Sequence, residues 1–141
     1  MKTLKTLTAA VLMILSFSAF ANDESATNKN LVDYTVKTYV DALAHGKIKD
    51  LPEVLDRDVK FTFTRGEKIY NYGKADLMKF MKSIEHVEQP CITESKVMEQ
   101  NASQIIVKVS MKYDGLSRIN YLSIANTSTG WKITNITNTF I

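Results

Sequence analysis

Five tyrosines carry most of the polar chemistry this sequence could offer to a small molecule. Tyr39, Tyr70, Tyr72, Tyr113 and Tyr121 each combine an apolar ring with a hydroxyl that seeks a partner when buried. A proton-transfer site would need more: a carboxylate or imidazole aimed inward, and a donor for the developing oxyanion. Between Cys91 and Ile141 the only acids are Glu94, Glu99 and Asp114, and the last two fall at expected turns. The C-terminal strands therefore predict an interior of apolar and phenolic groups with nothing ionised. His45 precedes Gly46, and His86 falls in the last turn of a predicted helix. Imidazoles at such helix ends are ordinarily solvent-exposed. His86 and Tyr72 are the weak candidates for an acid or base. No ligand spacing suggests a metal, no Gly-rich loop suggests a phosphate, and no nucleophile motif is present. No cofactor is expected.

The stretch "VKFTFTRGEKIYNYGK" (59–74) reads as a tight hairpin. Phe61 and Phe63 on one arm, and Tyr70 and Tyr72 on the other, recur at spacing two, so each arm turns an aromatic row to one face. Asn120 and Asn135 are unusual inside strands, where Asn is depleted. The run "TNITNT" breaks alternation between Ile133 and Ile136 and predicts a bulge near Asn135. The residues expected to line a pocket are Tyr39, Phe63, Tyr70, Tyr72, Met111, Tyr113, Tyr121 and Asn135.

The N-terminal stretch belongs to targeting rather than to the fold. Lys2 and Lys5 precede an uncharged apolar run that ends in Ala19-Phe20-Ala21. This is the pattern of a cleaved secretory signal (1–21), and it is short for a spanning helix. Export to the periplasm or medium is expected, with no membrane anchor after cleavage. Removing two lysines from 18 basic residues leaves 16 against 15 acids, a charge of +1. Such a chain shows no electrostatic footprint for nucleic acid. Cys91 is the single cysteine. It reads as a small buried side chain opening a strand, with a disulfide to a second subunit as the sharper alternative.

The rest forms one domain, 29–141, after a polar terminus at 22–28. "NLVDYTVKTYVDALAHG" has Val32, Val36, Tyr39, Val40 and Leu43 at helical spacing, with Gly46 as the stop. "DLPEVLD" predicts a short helix with Pro52 in its first turn. "KADLMKFMKSIEHVEQ" predicts a third, closed by Pro90. Beyond Cys91 the pattern is strand: "QIIVKVSMKYDG" alternates with Ile105, Val107, Val109, Met111 and Tyr113 on one face. "SRINYLSIAN" and "WKITNITNTF" complete a four-stranded meander. The expected fold class is α+β, a curved, cone-shaped antiparallel sheet (hairpin plus meander) packed on three helices. Ile106, Leu122 and Ile124 lie on strand faces that otherwise carry polar residues, and could seed a homodimer through the sheet.

This order of elements, with "YVDALAHGKIKDLPEVLDRDVKF" entering the first strand and "GWKITNI" near the end, resembles the nuclear transport factor 2-like superfamily of cystatin-like fold. Tyr121-Leu122-Ser123 and Gly130-Trp131-Lys132-Ile133 look most like the small exported bacterial proteins grouped as "Putative lumazine-binding". The resemblance implies a cavity between the curved sheet and its helices. It implies no single function, because the superfamily holds isomerases, dehydratases, cyclases and non-catalytic modules. The missing interior acid favours a non-catalytic domain that binds a small, partly apolar or aromatic molecule. Two alternatives stay open: a dimerising interaction module without ligand, and an isomerase- or dehydratase-like enzyme.

Overall fold

The computed structural model describes residues 31–141; the expected signal and polar terminus lie outside them. Helix α1 covers residues 31–45 of the described chain. Its expected face is realised, with Val36, Tyr39, Ala42 and Leu43 buried and an exposed Lys37–Asp41 ion pair one turn apart on the other side. Helix α2 is a single turn, Leu51–Val54, with proline at its start and both Leu51 and Val54 buried. The chain then enters β1 (Leu55–Arg65), β2 (Lys68–Tyr72) and helix α3 (Lys74–Ser83). Four strands follow: β3 (Ile92–Gln100), β4 (Gln104–Lys112), β5 (Ser117–Thr127) and β6 (Gly130–Phe140).

All six strands form one sheet in the order β2-β1-β6-β5-β4-β3. The hairpin and the meander are each antiparallel, as their turns require. What joins them is a parallel pairing of β1 with β6, in which Phe61 lies beside Ile136 and Phe63 beside Asn138. The sheet is thus mixed, a feature that alternation within a strand does not encode. Between Leu55 and Lys60, β1 loops away from β6, and Asp56 caps the excursion by accepting the Asp58 N–H at 2.9 Å. The bulge expected near Asn135 is present: the β5–β6 register shifts between Ser123 and Ile124, leaving Thr134 as the extra residue.

Pairing across the strands fixes which residues share a face. One row runs Tyr70, Phe63, Asn138, Asn120, Val109; the next runs Tyr72, Phe61, Ile136, Leu122, Val107. A third holds Phe140, Arg118 and Met111. This is the face on which the core is built, with Val107, Leu122, Ile124, Ile133 and Ile136 essentially inaccessible to solvent. Leu122 and Ile124 therefore cannot seed an interface on the outer face. The polar residues that frame them, Tyr121 and Ser123, point the other way, while Asn120 shares their side. Only Ile106, opposite Ser123, stands on the outer face with partial exposure.

Helix α3 stops at Ser83, earlier than the apolar spacing through Val87 predicts. The reason is a competing use of the backbone. The His86 N–H donates to the Gly46 carbonyl at 3.1 Å and the Gln89 N–H to that of Ala44 at 2.7 Å. These bonds satisfy carbonyls that α1 leaves open at its end. His86 adopts φ 63° to make the turn, so it lies beyond the helix rather than in its last turn.

Gly46 is pressed against this segment. It has φ +61°, and a Cβ there would stand 2.5 Å from the His86 nitrogen and 2.6 Å from the Ile84 oxygen. Gly66 has the same φ at the head of the β1–β2 turn, but nothing lies within 4 Å. Gly66→Ala should therefore cost only the left-handed strain, about 1 kcal/mol. Gly46→Ala should cost at least about twice that, because backbone must move. Urea unfolding of the two variants checks the contrast; equal losses would contradict it.

Candidate functional site

A cavity of about 630 Å³ opens between α3 and the hairpin end of the inner face. Phe61, Phe63, Tyr72, Phe80 and Phe140 provide its aromatic wall, and Leu77 lies among them. The rings are organised by strand register rather than by chance contact. Phe61 and Tyr72 face each other across β1 and β2 with centroids 6.3 Å apart. Phe63 stacks on Tyr70 at 6.3 Å and meets Phe140 edge-on at 6.0 Å. Such offset and edge-to-face pairs suit the ring quadrupoles. The volume falls within the range of small-molecule pockets, and a mostly apolar wall with few polar groups is their usual composition.

The polar groups of the lining are Asp76, Lys79, Ser83, Arg118 and Asn138. The interior is therefore not free of ionised groups, contrary to the sequence expectation. The charges come from a strand cation, Arg118, and from the helix that covers the strands. Asp76 and Lys79 sit one turn apart on α3 and are exposed at the mouth. Arg118 is half-buried on β5, its Nε enclosed and without a partner. Its guanidinium carbon lies 6.0 Å from the centroid of the Phe140 ring, within the range of cation–π attraction. Among the described residues no ion pair includes it.

Beneath the cavity lies a buried polar knot. Asn138 Nδ2 donates to Asn120 Oδ1 at 2.8 Å, and the Tyr39 hydroxyl donates to the same oxygen at 3.2 Å. All three side chains are almost wholly enclosed. Burial pushes the Tyr39 phenol far above the ordinary tyrosine range, with the field of Arg118 opposing the shift in part. Tyr113 is also raised, by burial first and by the neighbouring Cys91, while Arg118 beside it acts in the opposite direction. Cys91 is a free thiol, partly exposed.

Of the eight residues expected to line a pocket, the structure brings Phe63 and Tyr72 to the cavity. Tyr70 backs Phe63 from the edge strand. Tyr39 and Met111 are buried in the core, and Tyr113 lies against Arg118 and Cys91. Tyr121 pairs with Lys108 and Thr137, and Asn135 with Ser123, on the opposite face of the sheet. His86 is exposed and outside the lining, with Nε2 3.7 Å from the Glu85 carboxylate. His45 Nδ1 meets Glu88 at 2.7 Å. Glu94 faces outward too, opposite Ser110 in a small groove with Lys96, Lys108 and Lys112. Arg118 and Asn138 were missed, although Arg118, Asn120, Leu122 and Ile124 recur at spacing two. The other phase of that strand, with Ile119 and Tyr121, is just as mixed, so polarity alone does not pick the inner side.

A six-stranded mixed sheet with helices on one face and a cavity beneath them defines an NTF2-like domain. The chain belongs to the family described as "Putative lumazine-binding", whose model matches residues 27–138. No curated protein sequence matches it. Among solved structures it is similar to an NTF-2 like protein of unknown function from Silicibacter pomeroyi DSS-3, with TM-score 0.69, 11% identity and coverage of 83% of this chain and 98% of that one. It is also similar to an NTF2-like protein of unknown function from Shewanella baltica OS155, with TM-score 0.67, 4% identity and coverage of 82% and 95%. A ketosteroid isomerase-like protein from Erwinia carotovora atroseptica SCRI1043 matches with TM-score 0.59, 16% identity and coverage of 79% and 95%. At these identities the likeness shows the fold.

The Tyr39 knot yields a pH-dependent prediction. Tyr39→Phe removes one donor to a buried amide oxygen and should cost about 1 kcal/mol near neutral pH. The Tyr39 phenol is harder to ionise in the fold than in the unfolded chain. Its contribution is thus full below about pH 10 and is lost as pH rises above that value. Urea unfolding from pH 8 to 11 should show wild type losing its advantage over Tyr39→Phe. A constant gap across that range would contradict the assignment.

Proposed function

We propose that this is an exported domain that holds a small, partly aromatic molecule in the cavity without transforming it. The observation that carries the reading is the state of the wall. Tyr72, Phe80 and Phe140 remain 41%, 44% and 49% exposed at the cavity. A contiguous group of exposed aromatics on a folded domain marks a surface that is covered in use. A flat ring system seated among them would remove that area from water at about 25 cal/mol per Å². Export rests on the N-terminal pattern of residues 1–21.

A second reading is favoured by one observation: Asp76 lines the same cavity as Tyr72. A carboxylate and a phenol across a bound carbonyl compound could move a proton between them. Asp76 is exposed at the mouth, however, where water competes with a bound carbonyl compound for the carboxylate. The binding role is therefore the conclusion. If turnover of a bound ketone is found, Asp76→Asn should lower kcat about 100-fold under the second reading; an unchanged rate would eliminate it.

Thermal-shift measurements on residues 22–141 with a panel of two-ring aromatic compounds test the binding role. At least one should raise the Tm and bind in the micromolar range by calorimetry. Phe80→Ala, a change at an exposed position of α3, should weaken that binding at least about fivefold without unfolding the domain. No stabilisation across the panel would overturn the reading.

A further inference from the structure

We infer that the cavity takes its aromatic molecule as an anion, with a carboxylate or comparable group seated against Arg118. This rests on the proposed binding role and adds the chemical class of the ligand. Three charged side chains reach the lining: Asp76, Lys79 and Arg118. The first two are exposed neighbours on one helix and opposite in sign, so together they add no net charge to the lining. Arg118 supplies the net positive charge of the lining, and it is the one among the three that is partly buried. A guanidinium drawn out of water without a counter-charge is costly. Here its neighbours are the Phe140 face and the Tyr113 phenol, neither of which neutralises it.

The register gives the ligand a direction. Arg118 lies opposite Phe140, and Asn138 is two residues before Phe140 on the same face. These residues form one end of the lining. Phe61 and Tyr72 come from the hairpin side of the sheet, and Phe80 from the helix above. The cavity thus has a cationic end with an amide beside it and an aromatic end. A flat ring system bearing one acidic group matches both at once. Arginine suits the role, because its fork of N–H donors holds a carboxylate in a fixed plane.

Three probes with the same ring test this: 2-naphthoate, 2-naphthylmethanol and 2-naphthylmethylammonium, titrated calorimetrically into residues 22–141. The expected order is carboxylate first, then alcohol, then ammonium, with the carboxylate favoured about ten- to a hundredfold over the alcohol. Arg118→Gln should bring carboxylate and alcohol to within about threefold of each other, Arg118→Lys should retain part of the preference, and Lys79→Gln should leave it nearly intact. If Arg118→Gln does not fold, the Lys79→Gln and wild-type titrations still decide, since loss of the preference in Lys79→Gln would move the anion to the mouth and overturn the assignment. Equal binding of carboxylate and alcohol, or preference for the ammonium, would overturn the anion while leaving the cavity a binding site. No binding of any probe would overturn both.

Discussion

Two asparagines face each other across β5 and β6, each within its strand and each out of reach of water. Amides in that position are costly, and the hydrogen bonds they make offset the cost. Asn138 donates to Asn120, and Tyr39 reaches down from α1 to donate to the same oxygen. The knot does two things that a purely apolar core would not. It ties the helix to one point on the sheet, and it fixes the strand register. A slip of one residue in either strand would carry its amide to the outer face and break the bond between the two asparagines. The Asn120 Nδ2 remains without a partner, which makes the oxygen's two donors the whole of the side chain's compensation.

From that fixed row the rest of the inner face follows by pleat. Toward β4 the neighbours are Val109 and Val107, and the helices seal them into the core. Toward β1 and β2 they are Phe63, Phe61, Tyr70 and Tyr72, which α3 covers incompletely. The parallel pairing of β1 with β6 decides this outcome, since it sets the hairpin's aromatics beside the C-terminal end of β6. Early termination of α3 contributes as well. Its following segment is held by the end of α1 through the Ala44 and Gly46 carbonyls, so the helix cannot extend. The cavity is thus a consequence of backbone accounting at two element ends and of one strand pairing.

Much of this was legible in the sequence, for identifiable reasons. Helical spacing in α1, the hairpin around Gly66, the Asp114-Gly115 turn and the β6 bulge each have a local signature. So do the aromatic rows at spacing two. The parallel β1–β6 contact has none, because strands far apart in sequence carry no mark of their pairing. The extent of α3 was overread since Ile84 and Val87 continue its apolar spacing, while the bonds that stop it come from another element. The polar wall was hidden for a different reason. In β5 both phases mix apolar and polar residues, and the presence of Asn120 and Arg118 on the inner side makes that side look like the outer one. A strand whose buried face carries amide and guanidinium groups defeats the rule that alternation marks the core, and such departures concentrate where a structure binds or reacts.

The central claim is that Arg118 stands without a counter-charge beside the Asn120–Asn138 row, at the wall of the cavity. The Nε–H resonance of Arg118 in a ¹⁵N-labelled protein reports on it directly. Titration with 2-naphthoate should shift this signal and slow its exchange with water, in step with changes at Phe63 and Phe140. An Arg118 signal that stays unmoved while the aromatic resonances respond would show that the charge has no part in holding the ligand, and would contradict the account.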